Sequence, residues 1–251
     1  MKISIYNNYE EMSTAAADLV VAQLAAKPTS LLCFPSGETP TGMLKQLVQY
    51  AGEGKTDFSF CYFVGLDEWL GMNENKEGSC KHYMYTHFFD LIAIRPEQIV
   101  FFDALTTAVD QECARINDFI SGHQGLDLMI VGIGMNGHLG LNEPGTDFDT
   151  YAHRSALDQV TVNVGQKYFK NNTVLKEGIT LGLRHLKEAK QAVLIASGTK
   201  KAPIVAAALQ GEVSTDVPAS ILQDIPQAYI LMDQAAASAL KESPAIQRID
   251  V

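Results

Sequence analysis

Stretches with helical spacing of apolar residues alternate along this chain with short runs that are apolar throughout. Residues 9–26 place Leu19, Val20 and Leu24 on one face and predict a helix. Residues 30–34 form an apolar strand that stops at Pro35-Ser36-Gly37-Glu38-Thr39-Pro40, and a helix is expected over 41–50. The same reading gives a strand over 60–66, a helix capped by Ser79 and running to 91, and a short strand over 99–102. A helix over 109–120 then leads into a strand over 126–131. Further strands are expected near Val160 and over 179–183, 192–196 and 228–232, with a helix over 200–209. Repeated strand–helix–strand order predicts a three-layer α/β fold, Rossmann-like in the broad sense, with a mainly parallel sheet and helices on both faces.

Nothing divides the chain. It has no internal repeat, low-complexity tract or Pro/Gly/Ser-rich linker, so residues 1–251 are expected to form a single domain. The polar region 146–176 has the weakest core signal and is a candidate lid or insertion. Hydrophobic residues make up 47% and charged residues 19%, which is ordinary globular composition. A net charge of −10 argues against a general nucleic-acid or anionic-membrane binder, although local donors can still hold a small anion. The four cysteines (Cys33, Cys61, Cys80 and Cys113) are scattered, which points to reduced thiols and not to a disulfide frame or metal site. The amino terminus lacks the pattern of a signal peptide, and no apolar run reaches the roughly 20 residues that span a bilayer. A soluble cytoplasmic protein is the expectation.

Three segments carry chemistry, each at the end of an expected strand. In the first, Ser36, Gly37 and Thr39 open a helix with hydroxyls and a permissive glycine. That suits either an ordinary capped helix or an anion site. It is no Walker A loop, because no Gly-Lys-Ser/Thr follows. In the second, Gly65-Leu66-Asp67-Glu68-Trp69, adjacent carboxylates project in different directions. One can face a cleft as a general base while the other makes a structural pair, although for the two residues alone a solvated pair at the strand end is the more ordinary reading. The third runs from Asp127 through Gly132, Gly134, Asn136, Gly137 and His138 to Asn142-Glu143-Pro144-Gly145. It matches the spacing of a dinucleotide fingerprint, but the Pro and Gly that follow oppose the uninterrupted helix such a motif needs. A histidine flanked by Asn136 and Glu143 points instead to proton transfer.

Taken together, Ser-Gly-x-Thr-Pro, Leu-Asp-Glu-aromatic and Gly-x-Gly-x-Asn-Gly-His-x-x-x-Asn-Glu-Pro-Gly resemble the glucosamine/galactosamine-6-phosphate deaminase (isomerase) family. Gly178-Ile-Thr-Leu-Gly182, Ser197 to Lys201 and Pro218-Ala-Ser-Ile-Leu222 extend the resemblance. It implies the aminosugar-phosphate isomerase type of α/β fold, a small hexosamine phosphate as ligand and no metal or cofactor. By this resemblance Ser36, Gly37, Thr39, Gly132 and Lys201 would line the substrate and phosphate site. Asp67 would move a proton from C2 to C1 of the open-chain sugar. His138 would open the pyranose ring, oriented by Asn136 and Glu143. Imidazole, with an ordinary pKa of about 6.5, suits that step near neutrality.

The glucosamine branch places an arginine in its lid, and residues 157–162 here have none. Arg154, Lys167 and Arg184 are the candidates to replace it. The connection from Glu143 to Asp158 looks shorter than in that branch, and Ser79-Cys80-Lys81 replaces a more aromatic pattern. With Asp67-Glu68-Trp69 and residues 213–220, these departures look more like the galactosamine-6-phosphate branch. The expected reaction is therefore galactosamine 6-phosphate to tagatose 6-phosphate and ammonia, with glucosamine-6-phosphate deamination to fructose 6-phosphate as the alternative. A 6-phosphogluconolactonase or a non-catalytic sugar-phosphate sensor are the remaining rivals.

Overall fold

The computed structural model describes residues 1–73, 75–242 and 246–248. The first half of the chain contains β1 (Lys2–Tyr6), α1 (Tyr9–Ala26), β2 (Leu31–Cys33), α2 (Glu38–Gly52), β3 (Tyr62–Val64), β4 (Asp67–Trp69), α3 (Cys80–His87), β5 (Ile99–Val100) and α4 (Val109–Gly122). There follow β6 (Leu128–Val131), β7 (His153–Ala156), α5 (Gln159–Gly165), β8 (Glu177–Thr180), α6 (Leu183–Glu188), β9 (Ala192–Ala196), α7 (Ala202–Gln210), β10 (Ala228–Asp233) and β11 (Ile246–Arg248). Eight strands form one sheet in the order β11-β1-β10-β9-β6-β2-β3-β5. Its pairings are parallel.

The wholly apolar strands follow from burial on both faces. On one face Leu32, Phe63, Leu128, Ile130, Val193 and Ile195 pack with Val20 and Leu24 of α1, Met43 and Leu47 of α2, and Met84 of α3. On the other, Leu31, Cys33, Met129, Val131 and Leu194 meet Ile116 and Ile120 of α4, Leu186 of α6, and Val205 of α7. The result is the three-layer α/β fold that the pattern predicts. All four cysteines are buried and free. Among the described residues no helix is long and apolar enough to cross a membrane.

Three local expectations change. The strand expected near Val160 is the helix α5. Asp158 caps it, its Oδ1 accepting from the Val160 N–H at 2.7 Å, and this cap overrides the β preference of Val-Thr-Val. Helix α2 begins at Glu38, three residues before the expected start at 41, because Pro40 lies in the first turn, where a proline needs no donor. The carboxylate pair Asp67-Glu68 is not a loose strand end. It forms β4, which pairs antiparallel with β8, and β7 completes a small second sheet. Of residues 146–176, β7 is therefore built into a sheet, while α5 and the turn Gln166–Tyr168 continue over the open edge of the larger one.

That open edge has a reversal in its connections. From β2 the chain proceeds to β3 and β5 in one direction, and from β6 to β9 and β10 in the other. The loops after β2 and β6 thus part at a topological switch point, where open α/β sheets leave a crevice.

Candidate active site

A cavity of about 430 Å³ fills this crevice. Ser36, Gly37 and Thr39, from the loop after β2, line one end. Gly37 stands at the start of α2 with φ +114°, a conformation that favours glycine, and no side chain caps the helix. The first N–H groups of α2 are left open to an anion. Lys201, in the turn before α7, lines the cavity as well, and its Nζ donates to the Ile133 carbonyl at 2.5 Å. Its turn is anchored by Asp233, which accepts from the Gly198 N–H at 3.1 Å. Burial, with repulsion from Lys167, lowers the Lys201 pKa to about 8.

Successive residues of a strand point to opposite sides, and β4 uses this to separate its two carboxylates. Asp67 is buried on the cavity wall. Glu68 faces away and holds the start of α3. It accepts from the Ser79 hydroxyl at 2.6 Å and from the Cys80 and Lys81 N–H groups, each at 3.0 Å. The pair is therefore not a solvated strand end, and its two carboxylates divide between the cleft and the scaffold. Burial raises the Asp67 pKa to about 6, with the Cys80 thiol opposing through a hydrogen bond, Glu68 adding to the rise and His138 opposing it.

The loop after β6 explains its glycines. Gly132 and Gly134 line the cavity beside His138. A Cβ on Gly134 would lie 2.4 Å from Nε2 of the His138 ring, so only a glycine lets the imidazole lie there. Gly137 takes φ +88° to close the turn. The apparent nucleotide fingerprint is a seat for a histidine. Asn136 and Glu143 stand behind it and do not line the cavity. The Asn136 amide donates to Glu143 Oε2 at 2.8 Å, and that oxygen lies 3.3 Å from His138 Nδ1. Burial would raise the Glu143 pKa, but His138 by hydrogen bond and charge, with Thr161 and Asn136, holds it below the usual carboxylate range. Asn142 is structural, since its buried amide donates to the carbonyls of Leu139 at 2.7 Å and Leu181 at 2.8 Å.

The roof consists of α5 and the turn after it. Val160, Thr161, Val164, Lys167 and Tyr168 face the cavity. Of the three candidates for the absent lid arginine, Lys167 alone lines the cavity, and its Nζ meets Glu38 Oε2 at 2.6 Å. Arg154 pairs with Glu177 and Arg184 with Glu188, neither of them at the cavity. Thr161, Tyr168 and the Cys80 thiol were not singled out for function by their sequence. Nothing in their local pattern marks them, because α5 looked like a strand and Cys80 like a core thiol.

The profile of the glucosamine-6-phosphate isomerases/6-phosphogluconolactonase family matches residues 7–230. A glucosamine-6-phosphate deaminase of Thermoanaerobacter pseudethanolicus is 36% identical over 243 residues, covering 96% of both chains. The solved structure of a monomeric glucosamine-6-phosphate deaminase superposes with a TM-score of 0.92 at 32% identity, over 95% of this chain and 100% of that one. A 6-phosphogluconolactonase from Trypanosoma brucei, at 16% identity, has a TM-score of 0.76 over 96% of this chain and 98% of its own, and shares the fold.

These likenesses correct the galactosamine expectation. Relatives at 33–38% identity along nearly the whole chain are glucosamine-6-phosphate deaminases. The structure gives the reason the departures misled. A cation, Lys167, does line the roof of the cavity, five residues past the stretch 157–162 that lacks an arginine. Glu68 secures α3, Trp69 is fastened by its indole N–H to the Gly78 carbonyl at 3.1 Å, and Ser220 bonds within its own loop to Ser214. Glu68 and Ser220 brace the scaffold and do not line the cavity, and Trp69, which does line it, is fixed by that bond.

Proposed function

The chain belongs to the family of glucosamine-6-phosphate isomerases and 6-phosphogluconolactonases, and we propose that it is a glucosamine-6-phosphate deaminase, forming fructose 6-phosphate and ammonia. It is an aminosugar-phosphate deaminase/isomerase acting on a C–N bond. One observation carries the substrate reading. A buried carboxylate and a histidine backed by a carboxylate share a cavity with an uncapped helix start that has a lysine beside it.

The 6-phosphate sits at the start of α2, held by Ser36, Gly37 and Thr39 and neutralised by Lys201, with Lys167 closing from the roof. Gly132 leaves room for the sugar beside His138. His138, oriented by Asn136 and Glu143, takes the proton of the C1 hydroxyl and returns it to the ring oxygen, so the pyranose opens to the aldehyde. Asp67 removes the C2 proton, the substrate's own C2 ammonium passes a proton to the aldehyde oxygen, and a neutral enolamine forms. Asp67 then delivers its proton to C1, leaving an iminium at C2. Water adds to that carbon and ammonia departs, so one water is consumed for each ammonia released. A carboxylate with a pKa of about 6 is charged at neutral pH and still basic enough for a carbon acid. Residues 157–176 act as a lid over the bound sugar.

Purified protein is assayed for ammonia with glucosamine 6-phosphate, using galactosamine 6-phosphate and 6-phosphogluconolactone as controls. Ammonia and fructose 6-phosphate from the first are expected. Lactone hydrolysis without ammonia from either aminosugar would overturn the proposal.

A further inference from the structure

Thr161 lies in α5, the roof helix, yet its side chain is buried. Its Oγ1 is 2.9 Å from Nδ1 of His138, nearer than the Glu143 carboxylate at 3.3 Å. Thr161 also contributes to holding Glu143 in its charged form. A lone pair on Nδ1 would face a carboxylate oxygen, so the proton belongs on that nitrogen. An Nδ1–H then donates to the threonine oxygen, and the threonine O–H is free to donate to the carboxylate. This tautomer leaves Nε2 as a bare acceptor, on the ring edge that lies over Gly134 at the cavity wall.

We propose that Thr161 is a positioning residue that joins the roof to His138, so that the imidazole, its Nδ1 proton shared between Thr161 and Glu143, takes its ring-opening orientation only while α5 is seated over the cavity. The proposal rests on His138 as the ring-opening group. Lys167 lies six residues further along the same roof segment, where it faces the cavity and meets Glu38 at the start of α2. A phosphate that draws in Lys167 therefore also seats the helix that sets the histidine. Recognition at one end of the sugar is tied to proton transfer at the other by a single short element.

Thr161→Val keeps the branched shape and deletes the hydroxyl, while Thr161→Ser keeps the hydroxyl. Two quantities are read in each. The first is the 15N signal of the His138 ring nitrogens, assigned by its loss in His138→Gln. The second is kcat and KM with glucosamine 6-phosphate. The valine variant is expected to shift the His138 Nδ1 signal, because its proton is left with Glu143 alone, and to lose about fivefold to tenfold in kcat, with KM changed less than about twofold. The serine variant should recover most of both. Wild-type ring signals in a folded valine variant overturn the proposal, whatever its activity. Altered ring signals with unchanged kcat leave the hold of Thr161 on the ring intact and overturn His138 as the ring-opening group.

Discussion

The floor and the roof of the cavity are built on different principles. The floor consists of loop ends and strand residues locked from behind. Glu68 fastens α3 beside Asp67, Asn142 ties the loop of His138 to Leu139 and Leu181, and Asp233 holds the turn that carries Lys201. These bonds are largely buried, where an unmade partner costs about 1–3 kcal/mol, so each supports a unique geometry. The roof meets the phosphate loop through Lys167 and Glu38, an exposed ion pair of the kind that contributes about 0–1 kcal/mol. Val160 and Val164 remain substantially exposed at its inner face. On the proposed function, a fixed floor would set the distances that proton transfer requires, and a roof joined to the phosphate loop only by an exposed ion pair would let a sugar phosphate enter there.

The sharpest way to break this contrast is at the floor. Asp67→Asn should lower turnover by about 10²–10⁴-fold, measured as ammonia release, and should stop exchange of the C2 proton with solvent. Unchanged exchange removes Asp67 as the base. The same substitution should raise the thermal midpoint at pH 7.5. The folded carboxyl titrates at about 6, above its usual 3.8, so the folded state keeps a proton that the unfolded chain releases. Stability is therefore lost as pH rises through that window, and the cost, about 3 kcal/mol, is fully present above it. At pH 4 the gain should nearly vanish.

Lysines from the two regions give the next comparison. Lys201→Ala removes a half-buried charge and should raise KM about 10–100-fold, whereas Lys167→Ala should raise it only a few-fold. Equal effects would mean that the roof contributes as much to phosphate affinity as the floor. Lys201 titrates at about 8, so the wild-type KM should climb above that pH as the ammonium is lost, and the climb should disappear in Lys201→Ala.

The smallest effect concerns motion. Amide exchange in α5 should be faster than in β6, and inorganic phosphate should slow it in α5 alone. Uniformly strong protection across 146–176 in the free protein would remove the lid.

Much of the layering was legible because strands buried on both faces must be apolar throughout, as in Leu128–Val131 and Ala192–Ala196. Strand β1 has no wholly apolar run, since Ile3 and Ile5 alternate with polar neighbours, and its place in the sheet comes from pairing with β10, far along the chain. In the roof, local pattern and structure differ for a local reason. Three β-branched or apolar residues outweighed one capping aspartate in the pattern, and the cap decided the structure.

The site divides in the same way. Ser36, Gly37, Asp67, His138 and Lys201 stand out in the sequence because each follows an apolar run, and the physics of a parallel sheet sends the ends of such runs to one edge. The sequence by itself therefore determined the fold class, the edge where the chemistry gathers and the residue types available there. Tertiary structure decided the rest. It separated Asp67 from Glu68 by strand direction, assigned the glycines of the β6 loop to a histidine, selected Lys167 over two arginines and brought Thr161 against His138. Those outcomes depend on contacts between segments remote in the chain, such as Thr161 with His138 and Lys167 with Glu38. Local periodicity records which way a residue faces within its own element, and it does not record what another element brings to meet it.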